Sequence, residues 1–176
     1  MNFLPKLKNA FMRSGADFGD YHLVNIWSIE APVETVCDAI YNSLGWPQWW
    51  LNVEKVEDIA AGDAQGIGSV RRYTWRGYFP YRFTFDICVV RIEPLAFIEG
   101  TASGDVEGQG RWSFTSDGNV TVVRFEWKVR TTPVWMNWLA LFARPFFKWN
   151  HNAVMRQGAE ALAHMLKARL VNTVHP

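Results

Sequence analysis

Cysteine is scarce in this chain of 176 residues, and its scarcity excludes two kinds of stabilising cross-link. Cys37 and Cys88 are the only cysteines. Two thiols do not make a disulfide framework, and their separation does not fit a metal-ligand motif. One falls in a predicted helix and the other in a predicted strand. We therefore expect two free thiols, and a reducing cytoplasm as the compartment.

Histidine, net charge and long apolar runs are also limited. The four histidines lack metal-binding spacing with carboxylates or thiols, so no metal is predicted. The formal net charge is only +1, which argues against a nucleic-acid partner. No stretch reaches the ~20 apolar residues of a membrane span, and the N-terminus lacks the features of a signal peptide. The glycine-rich residues 104–110 lack the strand–loop–helix context of a phosphate-binding loop, so no cofactor is predicted.

Aromatic residues, in contrast, are abundant. They make up 15% of the chain and include ten tryptophans. An indole ring is bulky, and its N–H group needs a partner when it is buried. So many in one small domain indicate a lined cavity, an interface or a large filled core. Composition alone leaves these alternatives open.

The order of predicted elements indicates a single α+β domain. A strand at residues 21–31 precedes two short helical segments, which begin at Pro32 and near Trp46. Six strands then follow one another between residues 53 and 131 with turns and no helices between them, a pattern typical of an antiparallel sheet. A long helix at residues 146–170, with apolar residues at i, i+3, i+4 and i+7, closes the chain.

The last two strands of this series allow their register to be predicted. With Gly118 and Asn119 as the central turn residues, Arg111 pairs with Glu126. A turn shifted by one residue would set Arg111 against Arg124, a like-charge pair that costs stability. We therefore predict the first register. It brings four aromatic side chains together on the face towards the helix: Trp112, Phe114, Phe125 and Trp127.

The apolar stripe of the closing helix is expected to change its role along its length. The first half faces a cavity, and the second half, from Leu162 to Leu170, packs as solid core. Gly158 marks the change, because its missing side chain leaves room. His151 falls on the stripe one turn after Phe147. It either presents a nitrogen to the cavity or is satisfied by a backbone carbonyl at the edge of the stripe.

Two further segments have several interpretations. Residues 133–149 are apolar nearly all round, which is unusual for a surface helix; a lid, a homodimer contact and a membrane contact all fit. Pro145 is expected to break or kink the helix there. Residues 1–19 are interpreted as an N-terminal extension that forms a docked amphipathic helix, with a membrane anchor, a lid or a frayed end as alternatives. Its apolar face carries Phe3, Leu4, Leu7 and Phe11.

Four segments resemble the polyketide cyclase/dehydrase and lipid transport branch of the START-like (SRPBCC) superfamily. They are IEAPVETV at 29–36, WPQWW at 46–50, GIGSVRR at 66–72 and GQGRW at 108–112. The resemblance covers about residues 20–170, with Cys37 where this branch often has Trp or Phe. It implies a helix-grip fold, in which a curved antiparallel β-sheet wraps around a long C-terminal α-helix and leaves a hydrophobic cavity between them. The two short helices follow strand 1. The single START-like domain would span residues 20–172. No shared catalytic triad is implied.

The predicted function is binding of a hydrophobic, aromatic or lipid-like, small molecule in that cavity. A polyketide cyclase/dehydratase-like enzyme and a membrane-associated lipid carrier are the alternatives. For an enzyme, the candidate catalytic residues are His151, Arg71 and Tyr73. Arg71 either carries its charge near the cavity, with Glu99 as a candidate partner, or lies at the rim of the sheet and reaches solvent. The predicted ligand contacts are Trp49, Trp50, Tyr73, Trp75, Tyr81, Phe83, Phe85, Trp112, Phe125, Trp127, Phe147, His151 and Met155.

Overall fold

The computed structural model describes residues 20–78, 81–132 and 134–176, and it describes side chains throughout these ranges except at 134–144. The docked helix predicted for residues 1–19 therefore lies outside the described residues. In chain order the elements are β1 (Asp20–Ile29), α1 (Val33–Tyr41), a 3-10 helix (Ser43–Gln48), β2 (Val53–Ala60), β3 (Val70–Arg76), β4 (Arg82–Glu93), β5 (Phe97–Gly104), β6 (Val106–Asp117), β7 (Val120–Thr131), α2 (Val134–Met165) and β8 (Leu170–Val174).

The strands form one sheet in the order β2-β3-β4-β5-β6-β7-β1-β8, and all neighbours are antiparallel. Strands β2 to β7 pair in chain order, as a meander. The first strand, β1, lies beside the last meander strand along its whole length, from Asp20 opposite Arg130 to Ile29 opposite Thr121. Helix α2 packs across the sheet, which confirms the predicted α+β class and helix-grip fold.

The predicted register of the β6–β7 hairpin is confirmed. Arg111 stands opposite Glu126, and the last pair of the ladder joins Asp117 to Val120. The two residues between them form the turn. Gly118 has a φ of +58°, a left-handed conformation that glycine adopts without steric cost. Opposite charges across the ladder and a glycine at the turn therefore select the same alignment.

Helix α2 differs from the prediction at both ends. It is continuous through Pro145, so of the two predicted outcomes, a break or a kink, the break is wrong. A proline inside a helix removes one backbone hydrogen bond and crowds the preceding turn, and this 32-residue helix accommodates both effects. The C-terminal end is also different, because the helix stops at Met165 rather than at Leu170.

The early end of α2 is made by Lys167, which adopts a left-handed conformation with a φ of +53°. The N–H of Ala168 then donates back to the carbonyl of Ala163 at 2.9 Å, which closes the last helical turn. Leu166 and Leu170, which extend the apolar stripe in the sequence, therefore lie outside the helix. Leu170 begins β8, a strand that the sequence interpretation missed, and pairs with Ile29 at the outer edge of β1.

The solid core lies beneath the C-terminal half of α2, as expected from its stripe. Ala159 and Leu162 have no exposed surface, and they pack among side chains from β1, α1 and the segment that follows it. The largest fully buried side chains include Trp27, Trp50 and Ile29. From Phe147 to His151, further towards its N-terminus, α2 does not continue this packing. A cavity lies beneath it instead.

Candidate functional site

A cavity of about 240 Å³ lies between the sheet and α2. Strands β1 and β3 to β7, helix α1, the 3-10 helix and α2 all contribute to its wall. The wall is mainly apolar, with polar groups at two places. Its aromatic members among the described residues are Tyr21, Tyr41, Trp46, Trp50, Tyr73, Trp75, Phe83, Phe85, Trp112, Phe125, Trp127 and Phe147.

Several of these rings are nearly parallel, with Phe125 at the centre of one group. Its ring centroid is 4.2 Å from that of Trp112 and 5.6 Å from that of Trp127, with interplanar angles of 26° and 28°. The His151 ring is also aligned with it, at 6.4 Å and 22°. Trp127 lies across Gly110, its partner on β6, where a Cβ atom would collide with the indole. The missing side chain therefore lets this wall lie flat.

Trp50 closes the cavity towards the solid core. Its side chain has no exposed surface, and its indole N–H donates to the carbonyl of Val154 at 3.2 Å. The indole occupies the space beside Gly158, where an added Cβ would lie 2.7 Å from Nε1 and closer still to Cε2 and Cζ2. Gly158 does mark the change from cavity to core. The room that it leaves is taken by Trp50.

A polar cluster lies at the side of the cavity formed by β3 and the 3-10 helix. Arg71 Nη1 donates to Ser43 Oγ at 2.9 Å, and Ser43 Oγ lies 2.8 Å from Tyr73 Oη. Burial raises the pKa of Tyr73 above its usual value, against the opposing effect of its hydrogen bond to Ser43. The phenol therefore stays protonated at neutral pH. The cluster combines one fixed positive charge with two hydroxyl groups.

The same guanidinium is anchored at its outer side. Arg71 Nε donates to Asp58 Oδ1 at 2.9 Å, and Nη1 also reaches the carbonyl of Tyr41 at 3.2 Å. The candidate partner Glu99 is wrong, because that carboxylate lies 3.9 Å from Arg111 instead. Both positions that the sequence allowed for Arg71 are therefore partly occupied. Its side chain is 28% exposed at the rim of the sheet, and it also lines the cavity.

Helix α2 contributes the second polar place, through His151. This ring lines the cavity, and its Nε2 lies 2.8 Å from Oδ1 of Asn25, a fully buried residue on β1. Burial, followed by the nearby His175, lowers the pKa of His151 from 6.5 to about 3. The imidazole is therefore neutral at physiological pH. Of the two sequence alternatives, the partner is a side-chain amide rather than a backbone carbonyl.

The structure brings together most of the residues predicted as ligand contacts. All of them line the cavity except Trp49 and Tyr81. Trp49 stacks on the outer face of Trp50, with centroids 5.4 Å apart. Tyr81 packs edge-on against Phe83 and donates its hydroxyl to Asp105 at 3.2 Å. Both therefore support wall residues from behind.

Some cavity residues were missed by the sequence interpretation. Ser43 follows α1 in a segment with no alternating pattern, so nothing in the sequence marks it as facing the cavity. Asn25, which does not line the cavity itself but contacts His151 from β1, stood in the predicted first strand without a role. Asn150, one residue before His151 on α2, lines the cavity and accepts a hydrogen bond from the backbone N–H of Tyr78 at 2.9 Å. This bond joins the segment after β3 to the helix.

The described part of the chain offers neither a metal cluster nor a membrane-spanning helix. No cluster of three or more His, Cys, Asp or Glu side chains could hold a metal ion there. Within the same residues, no helix is both long and apolar enough to cross a membrane.

Solved structures with the same fold are numerous. An aromatase/cyclase from Streptomyces sp. R1128 aligns with a TM-score of 0.69 at 17% identity, over 84% of this chain and 94% of that one. A START superfamily protein from Mycobacterium smegmatis aligns with a TM-score of 0.66 at 16% identity, over 84% and 98% of the two chains. A di-domain aromatase/cyclase of the BE-7585A biosynthetic pathway aligns at 0.69 and 18% identity, over 88% of this chain and 52% of that one. At these identities the likeness shows a shared fold.

The family itself is shown by the sequence. No curated protein matches the chain. The family model described as polyketide cyclase / dehydrase and lipid transport matches residues 27–167, most of the chain. This range includes α1, strands β2 to β7 and all of α2. The chain therefore belongs to the polyketide cyclase / dehydrase and lipid transport family, within the START-like (SRPBCC) superfamily.

Proposed function

We propose that this protein binds a hydrophobic small molecule, aromatic or lipid-like, in the cavity between the sheet and α2. The observation that carries the proposal is the wall, in which aromatic rings are brought together from most strands of the sheet and from α2. A domain that needed only stability would gain by filling such a space, because each buried void forfeits packing energy. The volume of about 240 Å³ lies just below the usual range for small-molecule sites, about 300–1,000 Å³, and favours a compact ligand.

The shape and chemistry of the wall favour a planar ring system. The rings near Phe125 offer their faces, and offset stacking on such faces adds about 0.5–1.5 kcal/mol to the gain from burial alone. Burying roughly 250 Å² of ligand surface would contribute about 6 kcal/mol before ordering costs. Because ordering costs reduce this gain, simple aromatic probes are expected to bind with dissociation constants no tighter than roughly tens of micromolar. Arg71, Ser43 and Tyr73 would orient a polar end of the ligand.

The test is to fill the cavity and measure binding. Ile98 lines the cavity, whereas Ile59, on β2, is 49% exposed and is not part of its wall. Ile98→Trp and Ile59→Trp therefore add the same atoms inside and outside the site. Calorimetric titration with 2-naphthol should show at least a tenfold weaker affinity for Ile98→Trp and no change in affinity for Ile59→Trp. A folded Ile98→Trp variant that binds as well as the wild type would refute the proposal. Native mass spectrometry of the purified wild type can show a ligand retained from the cell.

A cyclase/dehydratase-like enzyme is the second candidate, and the polar cluster favours it. Arg71 is held by Asp58, so its fork is fixed beside Ser43 and Tyr73. This arrangement could stabilise negative charge on a carbonyl oxygen during enolisation. Incubation with poly-β-ketone thioesters should then give loss of water, detected by mass spectrometry. In the Tyr73→Phe variant, turnover should fall more than binding affinity. If the wild type binds these thioesters without any turnover, the enzyme candidate is excluded and only the binding function is left.

A lipid carrier that touches membranes is the third candidate. Tyr78 and Trp149 are 61% and 52% exposed, and their ring centroids are 5.7 Å apart near the cavity. Such exposed aromatic rings suit the interface of a bilayer. Vesicles of phosphatidylcholine and phosphatidylglycerol should co-sediment with the wild type and less with Trp149→Ala, with Ile59→Ala as the control. Equal pelleting of both variants would count against this role. The cytoplasm stays the expected compartment, in keeping with the free thiols of Cys37 and Cys88.

A further inference from the structure

Asn25 is an unusual residue for its position. It lies on β1 between Leu23 and Trp27, on the face that packs towards α2, and only 1% of its surface is exposed. An amide buried among apolar side chains costs free energy unless its donors and acceptor are satisfied. Here they are satisfied by side chains from two other elements: one from the C-terminal tail and two from α2.

The contacts around this amide sort by chemical type. Asn25 Nδ2, which can only donate, faces Nδ1 of His175 at 2.6 Å and Oδ1 of Asn152 at 3.4 Å. Asn25 Oδ1, which can only accept, faces Nε2 of His151 at 2.8 Å. His175 must be neutral to accept, and burial together with the charge of Arg156 lowers its pKa. In this orientation the amide nitrogen faces two acceptors and the amide oxygen faces His151.

This orientation determines the state of His151. Because Asn25 Oδ1 only accepts, Nε2 of His151 must carry the hydrogen, and a neutral imidazole then leaves Nδ1 bare. That Nδ1 has no partner among the described residues. The ring itself lines the cavity and lies nearly parallel to Phe125. The cavity wall thus includes an unused acceptor on α2 as well as the side chain of Arg71 on β3.

We propose that Asn25 and His175 are positioning residues that hold His151 in its Nε2–H form, so that Nδ1 accepts a hydrogen bond from a hydroxyl group on a bound aromatic ligand. The inference rests on the proposed binding function and adds a ligand class to it: ring systems that carry an aromatic hydroxyl. Apolar rings without a donor would bind through the same wall, but they would leave Nδ1 unpaired.

The positioning role can be tested without any ligand. Long-range nitrogen–proton NMR spectra distinguish the two neutral tautomers, and His151→Gln identifies the signals of His151 among the four histidines. The wild type should show the Nε2–H form, and Asn25→Leu should show a mixture of the two tautomers. His175→Gln keeps an acceptor for Asn25 and should preserve the wild-type state, whereas His175→Leu should weaken it. A wild type that carries its hydrogen on Nδ1, or an Asn25→Leu variant with an unchanged tautomer, would overturn the assignment.

The ligand class is tested by comparing 2-naphthol with 2-fluoronaphthalene, which has a similar size and no donor. The wild type should prefer 2-naphthol by roughly three- to tenfold. This ratio should fall towards one in His175→Leu and Asn25→Leu, and it should be kept in His175→Gln. If both probes bind and the ratio is the same in every variant, the hydroxyl contact is wrong while the cavity function stands. If neither probe binds the wild type, the binding function fails and the ligand class fails with it; the NMR result still decides the tautomer.

Discussion

Replacing Gly158 by alanine gives a prediction in which two physical effects have opposite signs. In an exposed helix, this change would stabilise the protein by about 1 kcal/mol, because glycine is a poor helix former. Here the new methyl group would lie 2.7 Å from Nε1 of Trp50 and closer to two ring carbons. Overpacking of this kind costs about 1–3 kcal/mol. If the indole moves and its N–H loses the carbonyl of Val154, a buried donor is left unpaired at a further cost of about 1–3 kcal/mol.

The net expectation is a loss of about 2–3 kcal/mol, which corresponds to a fall in Tm of about 5–10 °C for a domain of this size. Urea unfolding followed by far-ultraviolet circular dichroism measures the loss. Trp50→Phe supplies the control, because a smaller ring without an N–H leaves space for the methyl group. In that background Gly158→Ala should be neutral or slightly stabilising. A gain in stability from Gly158→Ala in the wild-type background would refute the close contact between helix and indole.

Three further predictions follow from buried groups. The pKa of His151 is about 3 in the folded protein and about 6.5 in the unfolded protein, so between these pH values only the unfolded state binds the extra proton. The contribution of the neutral His151 to stability is therefore complete above about pH 6.5 and is lost as the pH falls towards 3. From about pH 7 to 5 the wild type should therefore lose about 2 kcal/mol more than His151→Gln in urea unfolding, and parallel pH profiles would contradict this. Thr121 has no exposed surface and donates its hydroxyl to the carbonyl of Ala31 at 2.7 Å. In thermal unfolding, Thr121→Val should lower the free energy of unfolding by about 1–3 kcal/mol, and Thr121→Ser should lower it less because serine keeps the hydroxyl. Equal losses in the two variants would exclude this hydrogen bond as the cause. Burial raises the pKa of Cys37 to about 12, so iodoacetamide should modify this thiol only after unfolding in guanidinium. Labelling of Cys37 itself in the native protein, distinguished from labelling of the partly buried Cys88 by peptide mass spectrometry, would contradict its burial.

Local chemistry was enough to predict much of the fold and of the cavity wall. Charge pairing and a turn glycine determined the β6–β7 register, and Arg111 does stand opposite Glu126. Alternation along β3 separated the residues that face the cavity, such as Tyr73 and Trp75, from those that face away. These predictions succeeded because each depends on residues that are close in the chain or directly opposite in one hairpin.

Predictions failed where a distant contact or an unmarked backbone conformation decides the structure. The end of α2 depends on Lys167, a residue whose type gives no sign of a left-handed conformation. The partner of Arg71 depends on the β2–β3 pairing, which shifts register beside Asp58. Asn25 depends on two histidines that lie 126 and 150 residues further along the chain. No local pattern carries such information.

The position of β1 in the sheet has a consequence for the order in which the protein can be made. Its neighbours are β7 and β8, the last two strands of the chain, although β1 is the first to leave the ribosome. Strands β2 to β7 can join one hairpin at a time, whereas one edge of β1 waits for β7, which ends at Thr131, and the other edge waits until about residue 174 has been synthesised. Contacts that join the two ends of a chain slow folding, since a long loop must close before they form. The buried indole of Trp27, near the C-terminal end of β1, is therefore among the last large apolar groups of the domain to be covered.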